Sequence, residues 1–159
     1  TIGYENGEQQ VYLNGENVTA SLRTEEAGNM ASATSIYPGV RRQLTALQKE
    51  LAARQNVVMD GRDIGTAVLP DAQLKIYLTA SSHVRAVRRY EELKAKGVDS
   101  DLSVIEADII ARDQRDMTRE ISPLCKAADA VEVDSSELTI DEVVETVRKL
   151  YQERTGASV

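Results

Sequence analysis

The stretch VVMDGRDIGT, Val57 to Thr66, decides how this chain is read. An apolar run ends in Asp60-Gly61, and then an arginine and an aspartate stand side by side between two glycines. Val57 to Met59 reads as a short strand covered on both faces, as in a parallel sheet. Arg62 and Asp63 then fall at the carboxyl end of that strand. Neither side chain suits a dry core, and the glycines let the backbone come close to something. In parallel α/β sheets ligands bind beyond the carboxyl ends of the strands, so the pair is expected to face a ligand crevice. The plain alternative is a surface salt bridge at a turn.

The flanking sequence supports that sheet. Leu74 to Leu78 reads as a second strand, bounded by Pro70-Asp71 and by Ser81-Ser82, whose hydroxyls can cap a helix over 82–96. Gly97 ends that helix. A further helix is predicted over 102–118, with Ser103 and Glu106 at capping-box spacing, and Pro123 prevents its continuation. Ala130 to Val133 is a third strand. Thr139 and Glu142 form another capping box, with Leu138 and Val143 as a hydrophobic staple, and open a last helix to Arg154. Strands alternating with helices from residue 57 onward predict an α/β domain with right-handed crossovers.

Upstream the pattern changes. Asn6-Gly7 and Asn14-Gly15 separate short extended runs and predict an antiparallel meander. A polar helix is expected over 24–35. Pro38 suits the first turn of a helix reaching Arg54, with Val40, Leu44, Leu47 and Leu51 as its buried face. Residues 1–54 are therefore expected to form a small lobe and residues 55–159 the core domain.

The 159 residues suffice for one compact domain with a small appended lobe. No apolar run approaches the ~20 residues of a membrane span, and no membrane partner is expected. One cysteine, Cys125, excludes an internal disulfide and a cysteine metal cage, and suits a reducing, cytoplasmic setting. Cys125 itself is expected to be buried or half-buried, and His83 to lie at a surface helix start. A net charge of −7 argues against nucleic acid as a partner. Yet the cations are skewed, thirteen arginines against six lysines, toward the fork that matches carboxylate and phosphate.

Those arginines are organised. Arg85, Arg88 and Arg89 project from one side of a helix, with Val84, Val87 and Leu93 available to the other. Arg112, Arg115, Asp116 and Arg119 fall within an arc of roughly 100°. With Arg62 they form three clusters, and forks converging on a crevice would suit an anion with several phosphates. The usual meaning of such a charge pattern is a solvated helix face. Phosphoryl transfer asks for positioning and charge neutralisation, which guanidinium groups supply.

The segments VVMDGRDIGTAVLPDAQLKIYLTAS, RAVRRYEELKAKG, ARDQRDMTR and SPLCKAADAVEVDSS, with the earlier LRTEEAGNMAS and VRRQL, together resemble the bacterial cytidylate kinases over essentially the whole chain. The resemblance implies a P-loop nucleoside-monophosphate-kinase-like α/β fold: a parallel sheet with flanking helices, a helical lid over 84–119, and an antiparallel CMP-binding lobe. It implies transfer of the ATP γ-phosphoryl group to CMP or dCMP, with Mg²⁺, by a cytoplasmic monomer. Ser32, Arg41 and Asp63 would read the cytosine. Arg62 and Arg119 would hold the CMP phosphate. Arg112 and Asp116 would address the sugar, and Arg85, Arg88 and Arg89 would act from the lid near ATP. Of these, Arg85, Arg88, Arg89 and Arg112 are the candidates for catalysis, and Asp60 resembles the carboxylate that places the Mg²⁺ shell through water.

One departure is large. The family begins with a strand, a Gly-rich phosphate loop with its lysine, and a helix, whereas this sequence has no G-x-x-x-x-G-K-[ST]. GRDIG is no substitute, having no following lysine and not being expected to open a helix. The first strands of the core are thus expected to be missing, and the sequence to be a fragment or part of a longer protein. By itself it would show little turnover, and a non-catalytic CMP-binding module is the alternative. An aspartyl-nucleophile phosphatase fits poorly, because Asp60 and Asp63 are not spaced D-x-D.

Overall fold

The computed structural model describes residues 1–157, Arg23 and Glu25 by their backbone alone. The chain divides into two compact units, Thr1–Leu47 and Gln48–Val159.

The first unit begins with the expected meander: β1 (Ile2–Glu5), β2 (Glu8–Leu13) and β3 (Glu16–Asn17), all antiparallel. Both turns are Asn-Gly with positive φ at each position, Asn6 53°, Gly7 83°, Asn14 51° and Gly15 88°. These are the torsions that match the twist of a two-residue hairpin. A helix, α1 (Glu25–Thr34), follows with Thr24 as its cap, the hydroxyl accepting from Ala27 N at 3.2 Å. The next helix, α2 (Pro38–Arg54), starts at its proline and crosses into the second unit. Its expected buried face is not buried: Val40, Leu44, Leu47 and Leu51 are all exposed. Periodicity chooses the apolar side of a helix, whereas burial needs a second surface against it.

In the second unit, β4 (Ile76–Thr79) and β5 (Val131–Asp134) pair in parallel, in register from Ile76↔Val131 to Thr79↔Asp134. Between them run α3 (Ser82–Ala95) and α4 (Leu102–Thr118), packed on each other, and α5 (Ile140–Thr155) follows β5. The result is a mixed α/β unit with a small parallel sheet and flanking helices. Its buried apolar residues are few among the described residues: Val68, Ala86 and Val133.

Further expectations need correction. Residues 57–59 form no strand, and Val58 is fully exposed rather than covered on both faces. A strand exists by its ladder, and no described strand pairs with this segment. The GRDIG segment does open a helical turn: Ile64–Val68 is one π turn, closed by Leu69 N donating to Ile64 O at 2.7 Å. The cap of α4 is Asp101, which accepts from Ser103 N at 2.7 Å and Val104 N at 3.3 Å, and not Ser103. Glu106 instead reaches α3, where it meets Ser82 at 3.3 Å and His83 at 3.1 Å.

The caps of the other helices follow local chemistry. Ser81 caps α3, accepting from Val84 N. Thr139 and Glu142 close the expected capping box on α5, which ends at Gly156 with φ 69°. Cys125 is exposed, contrary to expectation, since it sits in an irregular connection with no covering element.

Both ends of the strand pair are bolted. At the amino end Lys75, its side chain 8% exposed, binds both Asp129 carboxylate oxygens at 2.9 Å and the Pro70 carbonyl. At the carboxyl end Ser135 donates to Thr79 O from its amide at 2.8 Å and its hydroxyl at 3.0 Å.

Candidate functional site

Four of the singled-out residues gather where α4 ends. Arg62 stands just before the π turn, and its Nε donates to Asp116 Oδ2 at 2.8 Å across 54 residues of chain. The residue before Arg62 is a glycine packed against the turn: a Cβ on Gly61 would lie 2.8 Å from the Ile64 side chain. Arg119, the residue after α4, lies 4.0 Å from Asp116 Oδ1 and 4.0 Å from Asp63 Oδ1. Its Nε is fixed by the Ser122 carbonyl at 2.6 Å. Ser122 has φ 49°, a left-handed backbone that a serine adopts only under constraint. Leu124 N then donates to Asp116 O at 2.8 Å and folds the connection back over the helix end.

Burial grades this cluster. Asp116 is 5% exposed, and the Asp63 and Arg119 side chains are 12% and 13% exposed, while Arg62 is 41% exposed. A carboxylate in the last turn of a helix meets the negative end of the helix dipole, and burial adds a desolvation cost. The two guanidinium groups offset both. Two arginines and two aspartates make the quartet formally neutral, and Arg112, exposed one turn before Asp116, adds a positive charge at its edge.

The α3 arginines are held elsewhere. Arg85 forks onto Asp113 of α4 at 3.1 and 2.5 Å and donates to Ala80 O at 3.0 Å. Arg88 donates to Ser135 O at 2.6 Å, Leu138 O at 3.3 Å and Ser135 Oγ at 3.4 Å. Arg89 pairs with Glu92 at 2.8 Å, and Glu92 also takes Lys96 at 2.6 Å. Hydrogen bonds from Lys96 and Arg89 lower the exposed Glu92 carboxyl to about 2. Arg115 turns back on its own helix, to Ala111 O.

Ser32 lies on α1 and Arg41 on α2, both in the first unit. Asp60 is exposed before the turn, and no group of three His, Cys, Asp or Glu side chains among the described residues could hold a metal ion. An open groove lined by Tyr90, Ser100–Ser103 and Glu106 lies at the opposite end of α4 from Asp116. Three contributors escaped the sequence reading: Asp113, Ser135 and the strained Ser122. Their partners are long-range or conformational, and neither spacing nor composition marks them.

The second unit, a small parallel sheet with flanking helices, is consistent with a nucleoside-monophosphate-kinase-like fold. The cytidylate kinase family model matches residues 1–153. The cytidylate kinase of Ligilactobacillus salivarius (strain UCC118) is 52% identical over 147 residues, covering 92% of this chain and 66% of its own length. That of Lactobacillus gasseri is 49% identical over 150 residues, with 94% and 65% covered. That of Geobacillus sp. (strain WCH70) is 48% identical over 148 residues, with 93% and 66% covered. The chain belongs to the cytidylate kinase family, and it spans about two thirds of the length of these relatives.

Proposed function

We propose that this chain carries the monophosphate-binding and lid parts of an ATP-dependent CMP or dCMP kinase. The observation that carries the reading is the gathering of Arg62, Asp63, Asp116 and Arg119 around the end of α4 in a member of this family. Arg62 and Arg119 hold the CMP phosphate. Asp63 reads the cytosine: a carboxylate can accept from the exocyclic amino group, whereas uracil offers no donor there. Arg112 and Asp116 address the sugar. Arg85, Arg88 and Arg89 act from the α3–α4 lid, and Arg85 and Arg89 exchange Asp113 and Glu92 for ATP phosphate oxygens as the lid closes. The guanidinium groups then neutralise charge on the transferred group and exclude water from it.

Mg²⁺ typically keeps several waters and binds through one or two carboxylates and the nucleotide phosphates. A single exposed Asp60 would hold such an ion through its water shell, and the ion would supply charge neutralisation at the phosphates. The setting is pyrimidine nucleotide metabolism in the cytoplasm, and the protein works as a monomer.

The 159 residues contain no G-x-x-x-x-G-K-[ST] run, which favours a second reading: this chain binds CMP and transfers nothing. Calorimetry with CMP and UMP, beside a coupled assay of ADP release, separates the two. CMP-selective binding with ADP release supports the kinase, and binding alone supports the module. No CMP binding sinks both.

A further inference from the structure

Asp116 makes its main contacts within the protein itself. Its side chain is 7% exposed and already receives Arg62 Nε at 2.8 Å, with Arg119 at 4.0 Å on its other oxygen. Arg62 shows the opposite balance: its side chain is 41% exposed, and its only hydrogen bond among the described residues is the one through Nε. A guanidinium fastened by Nε keeps its two terminal nitrogens as a forward fork, the edge that matches two phosphate oxygens. Held at that one point, the guanidinium is tied to the carboxylate behind it. The carboxylate is anchored by a helix end that Leu124 N closes.

We propose that Asp116 is a positioning residue for phosphate recognition: buried behind Arg62, it aims the terminal nitrogens of that arginine at the monophosphate. The proposal rests on the CMP-binding reading and adds a role to the sugar contact. A sugar ligand and a positioning carboxylate leave different signatures. The first matters only when the ribose hydroxyls are present. The second matters whenever the phosphate is present.

The test is Asp116→Asn in the 159-residue chain, with calorimetry against CMP, its 2′,3′-dideoxy analogue and cytidine. The amide keeps the shape and weakens the charge-assisted bond. Loss of about ten- to a hundredfold is expected for both monophosphates, the dideoxy analogue included, with a clearly smaller loss for cytidine, which keeps the sugar contact and has no phosphate. Arg62→Lys combined with Asp116→Asn is expected to bind CMP no worse than the weaker single variant, because both act through one contact. Should the variant be poorly folded by circular dichroism, Asp116→Glu, which keeps the charge and displaces the fork, replaces it with the same expected pattern. A loss confined to CMP, an equal loss for cytidine, or additive losses in the double variant would overturn the role while leaving the CMP reading intact. A parent chain that binds none of the three ligands would overturn both.

Discussion

Arg85 on α3 and Asp113 on α4, 28 residues apart, close a two-pronged ion pair that ties the first turn of one helix to the third turn of the next. Both side chains are partly covered, at 37% and 23% exposure, and the guanidinium also anchors on Ala80 O. Arg85→Ala is expected to destabilise the chain by about 1 kcal/mol, the range of a well-aligned but partly solvated pair. A double-mutant cycle with Asp113→Ala by urea unfolding should return a coupling of similar size. A coupling of zero would mean the pair is incidental.

Asp63 sits 4.0 Å from Arg119 at low exposure, and the proposed role gives it the base amino group to accept from. Asp63→Ala is expected to weaken CMP binding and to reduce its preference over UMP by about ten- to a hundredfold. Calorimetry with both nucleotides measures it, and an unaltered preference would remove the base-reading role.

Arg62→Lys keeps the charge and loses the planar fork together with Nε, the atom that Asp116 holds. CMP affinity is expected to fall by about tenfold. Affinity equal to the parent would rule out a two-pronged phosphate contact.

Thr139 and Glu142 satisfy each other's backbone amides at the start of α5, Thr139 N donating to Glu142 at 2.8 Å. Thr139→Ala should cost about 1 kcal/mol in chemical denaturation. The carboxyl of Glu142 is lowered by the Thr139 backbone and hydroxyl bonds, so the cap should weaken as acid protonates it.

Glu92 gives a defined pH window. Its carboxyl falls from an ordinary 4.5 to about 2 through Lys96 and Arg89. A depressed acid contributes stability above its unfolded value, and that contribution is lost as pH falls through the folded one. The melting temperature of the parent should therefore decline between about pH 4.5 and 2 more steeply than that of Glu92→Gln. Parallel profiles would place the ion triad outside the stability of the fold.

The elements were legible where their causes are local. Asn-Gly pairs forced both hairpin turns, Pro38 opened α2, and Thr139 with Glu142 capped α5. Each is a choice made within four residues, so the order of letters carries it. The parallel pairing of β4 with β5 was legible as alternation, although the strand ends moved by one or two residues. The segment 57–59 shows the limit of that reasoning: its apolar letters state a preference for a ladder, and a ladder needs a neighbour.

Sequence by itself determined the family, the helix boundaries and the presence of clustered arginine forks, because these are properties of residue type and short spacing. Tertiary structure alone decided which forks meet. It brought Arg62 to Asp116 across 54 residues, turned Arg88 onto the Ser135 and Leu138 carbonyls, and left the apolar stripe of α2 exposed. The reason is physical: a guanidinium binds the acceptors nearest to it after the chain has folded, and burial is a relation between two surfaces, which no single segment carries.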